Sequence, residues 1–211
     1  MVYDRRFDGD VLSFGNTGRI CHFDMLMYDR ETESWWQQFR GEAVIGTYAS
    51  GHLKALSARL ESLVRFRARA PDGKLLVSND GHVRPYGSTP FMGMERQEFT
   101  QRYPLPDGVN PTARVVVVDG EAWTVDLLER EKTFRAGELV FTWEASQNSI
   151  HDTHRIASGH DVGNVIVMRG EGDVLENDAY DVTFAFAFSA FHPNGILHTD
   201  LQTRHVLATC D

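Results

Sequence analysis

The sequence predicts an α+β fold dominated by antiparallel β-sheet built from hairpins, and three observations predict it. Asx-Gly dipeptides, which supply positive φ for tight turns, recur at Asp8-Gly9, Asp72-Gly73, Asp80-Gly81, Asp107-Gly108, Asp119-Gly120 and Asn194-Gly195, between short apolar runs. Only one stretch, about 57–70, has helical apolar spacing, with Leu56, Leu60, Leu63 and Val64 on one stripe. The longest apolar runs, 115–118 and 184–188, are strand length and far short of the ~20 residues of a membrane-spanning helix.

Taken in order, 2–7 and 11–14 are two β-type runs joined by Asp8-Gly9. The main helix at 57–70 carries Arg59, Arg65, Arg67 and Arg69 outside its apolar stripe, a solvated basic face or a surface for an anion or partner. Pro71-Asp72-Gly73 ends it, and 74–78 reads as a strand. A Pro-rich connection near 86–111 follows. The 211 residues form either a single domain or two intimate lobes joined by that connection. Val115 to Val118, apolar on both faces, reads as a central strand in a hairpin with 122–125 across Asp119-Gly120. Leu139, Phe141 and Trp143 alternate with Val140, Thr142 and Glu144 in a strand with one buried face, and 165–168 is another. Phe184, Phe186 and Phe188 alternate with Ala185, Ala187 and Ser189, which reads as one more strand.

Twenty-one basic residues against thirty acidic ones leave a net charge of −9, which repels phosphate backbones and anionic membranes, so nucleic acid is not an expected partner. The N-terminus lacks the charged, apolar, small-residue order of an export leader, so a true start at Met1 implies the cytoplasm. Cys21 and Cys210 leave a bridge and two free thiols equally open.

Polar chemistry concentrates in two places. The first is 24–46, where Asp24, Tyr28, Asp29, Arg30, Trp35, Trp36 and Gln38 crowd together. Two indoles in succession on a strand face opposite ways, so one packs inward and the other lies near a surface or pocket. One reading is a small-molecule pocket walled by these seven residues. The other is structural: Arg30 pairs with Asp29 or Asp24, Thr32 and Ser34 close a turn, and a Trp fills the core. Asp24 with Asp29 or Glu33 would be the carboxylate pair for acid-base work. The second place holds His151, Asp152, His154, His160 and Asp161, residue types that bind a transition metal, with His192 a further ligand for such a site. His151 and His154 share a face only on a helix, whereas the region reads as loop or strand, so surface histidines around an Asx turn are the competing reading. His192 and His198 could approach one another across a hairpin at Pro193-Asn194-Gly195. A small-ligand or metal binding module, a metal-dependent oxidoreductase or hydrolase using the histidines, and a structural or interaction domain are therefore the three function classes in play. No Gly-x-Ser-x-Gly elbow or phosphate-cradling glycine loop supports nucleophilic or nucleotide chemistry.

The run MYDRETESWWQQFRGEAVIG, with FDGDVLSFGNTG before it and APDGKLLVSNDGHVRPYGSTPF after it, resembles the bacterial and archaeal family known as domain of unknown function 3179. ASGHDVGNVIV (157–167) and DVTFAFAFSAFHPNG (181–195) extend the resemblance over nearly the whole chain. The resemblance implies no activity, because the family has none established. Relatives usually carry a Cys-Pro-Leu-Cys-Gly segment just before the stretch that resembles 1–6, and often a leader or lipid anchor. The resemblance therefore implies an exported or lipid-anchored protein if an upstream leader has been lost. Relatives commonly have Arg where this chain has His160, a departure that weakens the metal reading.

Overall fold

Short β-runs separated by positive-φ turns leave this chain few ways to pair other than with near neighbours, and most of its ladders are antiparallel. A computed structural model describes residues 1–22, 24–79, 81–82, 85–96 and 104–207. Cys210 and Asp80 of the Asp80-Gly81 turn lie outside the described residues. The strands are β1 (Arg6–Phe7), β2 (Asp10–Val11), β3 (Phe14–Cys21), β4 (Asp24–Asp29), β5 (Trp35–Gln37) and β6 (Glu42–Ile45). After helix α1 (Leu63–Arg69) come β7 (Arg114–Val118), β8 (Glu121–Thr124), α2 (Val125–Glu131), β9 (Thr133–Ala136) and β10 (Leu139–Glu144). The rest are β11 (Asn164–Glu171), β12 (Val174–Asn177), β13 (Asp181–Phe184), α3 (Ala185–Phe191), β14 (Ile196–His198) and β15 (Arg204–Val206). The protein is thus β-dominated α+β, with antiparallel sheets and three helices among the described residues.

The chain divides into two compact units, the first formed by Met1–Ala58, Gln101–Thr124 and Asn177–Asp211 and the second by Arg59–Thr100 and Val125–Glu176.

In the first unit, Asp8 and Gly9 at φ of 50° and 88° close the β1–β2 hairpin, and β3, β4, β5 and β6 form an antiparallel meander. Leu12, Trp36, Ala43 and Leu53 make its core, with Phe7 and Phe14 edge-on to the Trp36 ring. The other sheet runs β13-β7-β8-β14-β15. Its apolar strand β7 is interior, with Val115 to Val118 all buried, and Asp119-Gly120 turns it into β8. The β14–β8 pair is parallel, because α3 carries the chain back across the sheet before β14 begins. In the second unit β12-β11-β10-β9 form an antiparallel sheet, with Leu139, Phe141 and Trp143 buried on one face of β10. Helix α2 packs against β9 and β10 and buries Val125, Leu127 and Leu128.

Three local expectations are corrected. The main helix is shorter than 57–70: Ser62 caps it by accepting from Arg65 N–H, and none of its residues is buried. With no apolar face rewarded by burial, the stretch before Ser62 gains nothing by coiling, and a helix this short is marginal alone. The 74–78 stretch pairs with no strand, and Leu75, Leu76 and Val77 are exposed. Only Phe184 of the alternating Phe run is in a strand, and 185–191 is α3. Phe184 and Phe188 satisfy helical spacing as well as alternation, Phe191 fits only the helical spacing, and Ala185 and Phe186 N–H donate to Ala113 and Pro111 carbonyls, which fixes the turn into the helix.

Candidate functional site

The 24–46 stretch folds as β4, β5 and β6 with their turns, and its side chains separate into a core network and a turn-holding network. Asp29, Trp36 and Ser34 are fully buried. Asp29 Oδ2 accepts from the Trp36 indole at 2.8 Å, Oδ1 accepts from Thr32 N at 2.5 Å, and both oxygens lie within bonding distance of the Thr32 hydroxyl. Burial works to raise the Asp29 pKa, but these donors outweigh it and hold the carboxyl below its ordinary value. Arg30 pairs with neither Asp24 nor Asp29 among the bonds observed: its guanidinium donates to Phe14 O at 2.6 Å and lies 5.8 Å from the Tyr28 ring centre. Tyr28 packs over Gly15, where a Cβ would come within 2.5 Å of the ring. Trp35 is half-buried opposite Tyr28, and Gln38 bonds through its N–H to Met25 O.

Asp24 acts on the turn that follows β5. Its Oδ2 accepts from Gln37 Nε2 and from Phe39 N, both at 2.8 Å, while Gln37 Oε1 accepts from Arg40 N at 2.8 Å. The Tyr3 hydroxyl donates to Phe39 O at 2.6 Å from the other side. Gly41 permits this: it sits at φ +61°, and a Cβ there would lie 2.6 Å from Tyr3 Cε1. The pinned turn presents Phe39 and Arg40 to a cavity of about 280 Å³ in the first unit, whose wall also includes Tyr3, His52, Asp181 and His192. None of Asp24, Tyr28, Asp29, Arg30, Trp35, Trp36 or Gln38 lines this cavity or a second one at Pro104, Leu105 and Val206.

His192 caps the C-terminal end of α3, where it stacks on Phe188 at 4.9 Å and meets Phe39 edge-on at 6.3 Å. Burial, and secondarily the Arg40 charge, push its pKa down to about 4, so the ring is neutral at pH 7. Tyr3 is pushed well above its ordinary value, first by burial and then by Asp181 and Asp24, so it stays a donor. Arg40 is exposed at the rim, with Glu42 3.3 Å away and His52 beyond it, 3.9 Å from the same carboxylate. Tyr3, Arg40, His52 and Asp181 were not expected as site residues. They are scattered over the chain, and no motif or spacing joins them.

The histidine loop belongs to the second unit. His160 Nδ1 lies 3.2 Å from Asp152 Oδ2 and Nε2 lies 3.6 Å from Glu95 Oε2, while the Ser149 hydroxyl donates to Glu95 Oε1 at 2.7 Å. His151 N donates to Ser149 Oγ, and its ring faces Phe91. His154 is exposed and enters the fold through its carbonyl, which accepts from Thr89 N. Asp161 accepts from Ser146, Gln147 and Gly163 N–H groups and so closes an Asx turn. Among the described residues no three His, Cys, Asp or Glu side chains are placed to hold a metal. His198 is buried in β14, stacked on Trp123 and 2.7 Å from Glu121.

No curated protein and no solved structure matches the chain. One family profile does, over residues 1–195. The meander that buries Trp36 on Asp29, the Gly163 turn and the β13–α3 segment all lie inside that span, and the chain belongs to the family described as protein of unknown function (DUF3179).

Proposed function

We propose that the protein is a small-molecule binding module whose ligand occupies the cavity of the first unit. The observation that carries this reading is His192: a neutral imidazole, withdrawn from water, shares one concave wall with the guanidinium of Arg40. A neutral ring can both donate and accept, Arg40 offers a cation at the rim, and Phe39 and Leu53 supply apolar surface. A few polar groups converging on an apolar wall suit a compact polar molecule with an acceptor or carboxylate end. At about 280 Å³ the cavity is at the lower edge of ligand sites, which limits the occupant to metabolite size.

Asp24 and Gln37 serve the site indirectly on this reading, by fixing the turn that carries Phe39 and Arg40. The test is a thermal-shift screen of small carboxylates and polar metabolites against wild type, Arg40→Gln and His192→Gln. Compounds that stabilise wild type should bind each variant about tenfold or more weakly, the loss expected when a charged or buried hydrogen-bond partner is removed. Compounds that bind both variants as tightly as wild type would place the ligand elsewhere and sink the proposal.

A further inference from the structure

The segment 59–77 of the second unit leaves its large apolar side chains in solvent. Helix α1 is attached through polar groups: the Arg65 guanidinium bonds Glu144 Oε2 and Ala145 O, Gln147 Oε1 accepts from Ser62 N at 3.1 Å, and Gln147 Nε2 donates to Leu60 O at 3.1 Å. Its apolar side chains face away. Leu60, Leu63 and Val64 are exposed, Val64 at 79%, and beyond the turn at Gly73 so are Leu75, Leu76 and Val77, with Leu76 fully in solvent. A soluble helix ordinarily buries its leucines and solvates its arginines. Here the apolar side chains are in solvent together with Arg67 and Arg69, and six large exposed apolar side chains within one short segment mark a docking surface.

The charge on the segment selects the occupant. By sequence, residues 59–77 hold Arg59, Arg65, Arg67, Arg69 and Lys74 against Glu61 and Asp72 in a chain whose net charge is −9; Arg65 pairs with Glu144 and Arg69 with Glu61, which leaves Arg67 and Lys74 as the exposed cations without a described ion pair. A second copy docked face to face would set this basic segment against itself, as two-fold symmetry requires. An anionic surface meets no such repulsion, and at physiological salt the acidic remainder of the chain is screened beyond about 8 Å. Cations beside exposed leucines and valines are the chemistry of a bilayer interface, where apolar side chains enter the acyl boundary and cations meet lipid headgroups.

We infer that the 59–77 segment docks the protein peripherally on an anionic lipid surface, with Leu76 and Val77 inserting and Arg67 and Lys74 contacting headgroups. The experiment is co-sedimentation of the full chain with vesicles of phosphatidylglycerol and phosphatidylcholine in equal parts, beside vesicles of phosphatidylcholine alone. Wild type should partition onto the anionic vesicles about tenfold or more in preference to neutral ones, less so as salt rises. Leu76→Ser/Val77→Ser and Arg67→Glu/Lys74→Glu should each lower that partitioning about tenfold. Leu76 and Val77 are exposed and the Arg67 and Lys74 side chains have no described ion pair, so both variants should melt as wild type does. Failure to sediment with anionic vesicles overturns the inference, as does a charge-reversed variant that binds as wild type. Concentration-dependent self-association of wild type that Leu76→Ser abolishes would assign the surface to a second copy and overturn it equally.

Discussion

The Trp36 indole donates to Asp29 Oδ2 across 2.8 Å, and neither residue has any exposed surface. The bond sits in the core of the β3–β6 meander, where the Asp29 carboxylate also gathers the N–H and hydroxyl of Thr32. Removing the carboxylate leaves the indole N–H and the Thr32 donors buried without their acceptor. Asp29→Ala should therefore lower unfolding free energy by about 2–4 kcal/mol, read from urea melts at pH 7. Because the folded-state pKa of Asp29 is held below its ordinary value, its contribution is present above about pH 4 and lost as pH falls through the folded value. A melt unchanged from wild type would show that the network carries no stability.

Gly41 and Tyr3 are coupled by space. Gly41→Ala meets two obstacles, a positive φ and a Cβ 2.6 Å from Tyr3 Cε1, and should cost about 1–3 kcal/mol. Tyr3→Ala removes the clash but not the φ strain, so the double variant should be less destabilised than the two single effects added together. A double-mutant cycle measures the difference, and strict additivity would mean that the Tyr3 ring does not rest on Gly41.

How much of this was legible in the sequence depended on whether a local rule decided the matter. Asp119-Gly120 and Asp8-Gly9 specify hairpins through φ alone, and Val115 to Val118 declare an interior strand because they are apolar on both faces; each of these is realised. The helix at 185–191 was not legible, because Phe184 and Phe188 fit both periods and the decision lies with Ala113 and Pro111 carbonyls more than seventy residues away. Helix α1 misled for the opposite reason, since its stripe of Leu60, Leu63 and Val64 has helical spacing but nothing to pack against. At the candidate site, Asp24 stood out as polar, while the cavity wall draws on Tyr3, His52, Asp181 and His192. No spacing rule joins residues so far apart in the chain.

Acid should weaken the first unit through His192. The ring titrates at about 4 in the fold against an ordinary value of about 6.5, so between these values the unfolded chain binds the proton and the folded one does not. Its contribution is full above about pH 6.5, falls as pH drops towards 4, and levels off below, with a total on the order of 3 kcal/mol at most. Carboxylates titrate over the lower part of the same range, so the comparison that isolates the ring is wild type against His192→Gln at each pH. Their stability difference should shrink as pH falls from 7 to 4. A difference that stays constant would mean that the imidazole is hydrated and charged in the fold.

In the second unit the equivalent constraint joins Gly163 to Trp143. Trp143 is buried on β10, its indole donates to Val162 O at 3.1 Å, and the Lys132 ammonium lies 3.8 Å from the ring centre. Gly163, at φ +69°, lies against that indole so closely that a Cβ would fall 2.1 Å from Nε1. The turn is held from the other side by Asp161 Oδ1, which accepts from Gly163 N at 2.9 Å. An added methyl can be relieved only by moving the largest side chain on the buried face of β10 or by breaking the Asx turn. Gly163→Ala should thus cost about 2–4 kcal/mol, above the roughly 1 kcal/mol expected from backbone conformation alone, with a change in Trp143 fluorescence in the folded state. Asp161→Ala, which loosens the turn without driving an atom into the indole, should cost less and change that fluorescence less. If the two variants behaved alike, the Trp143 contact would not be what demands glycine here.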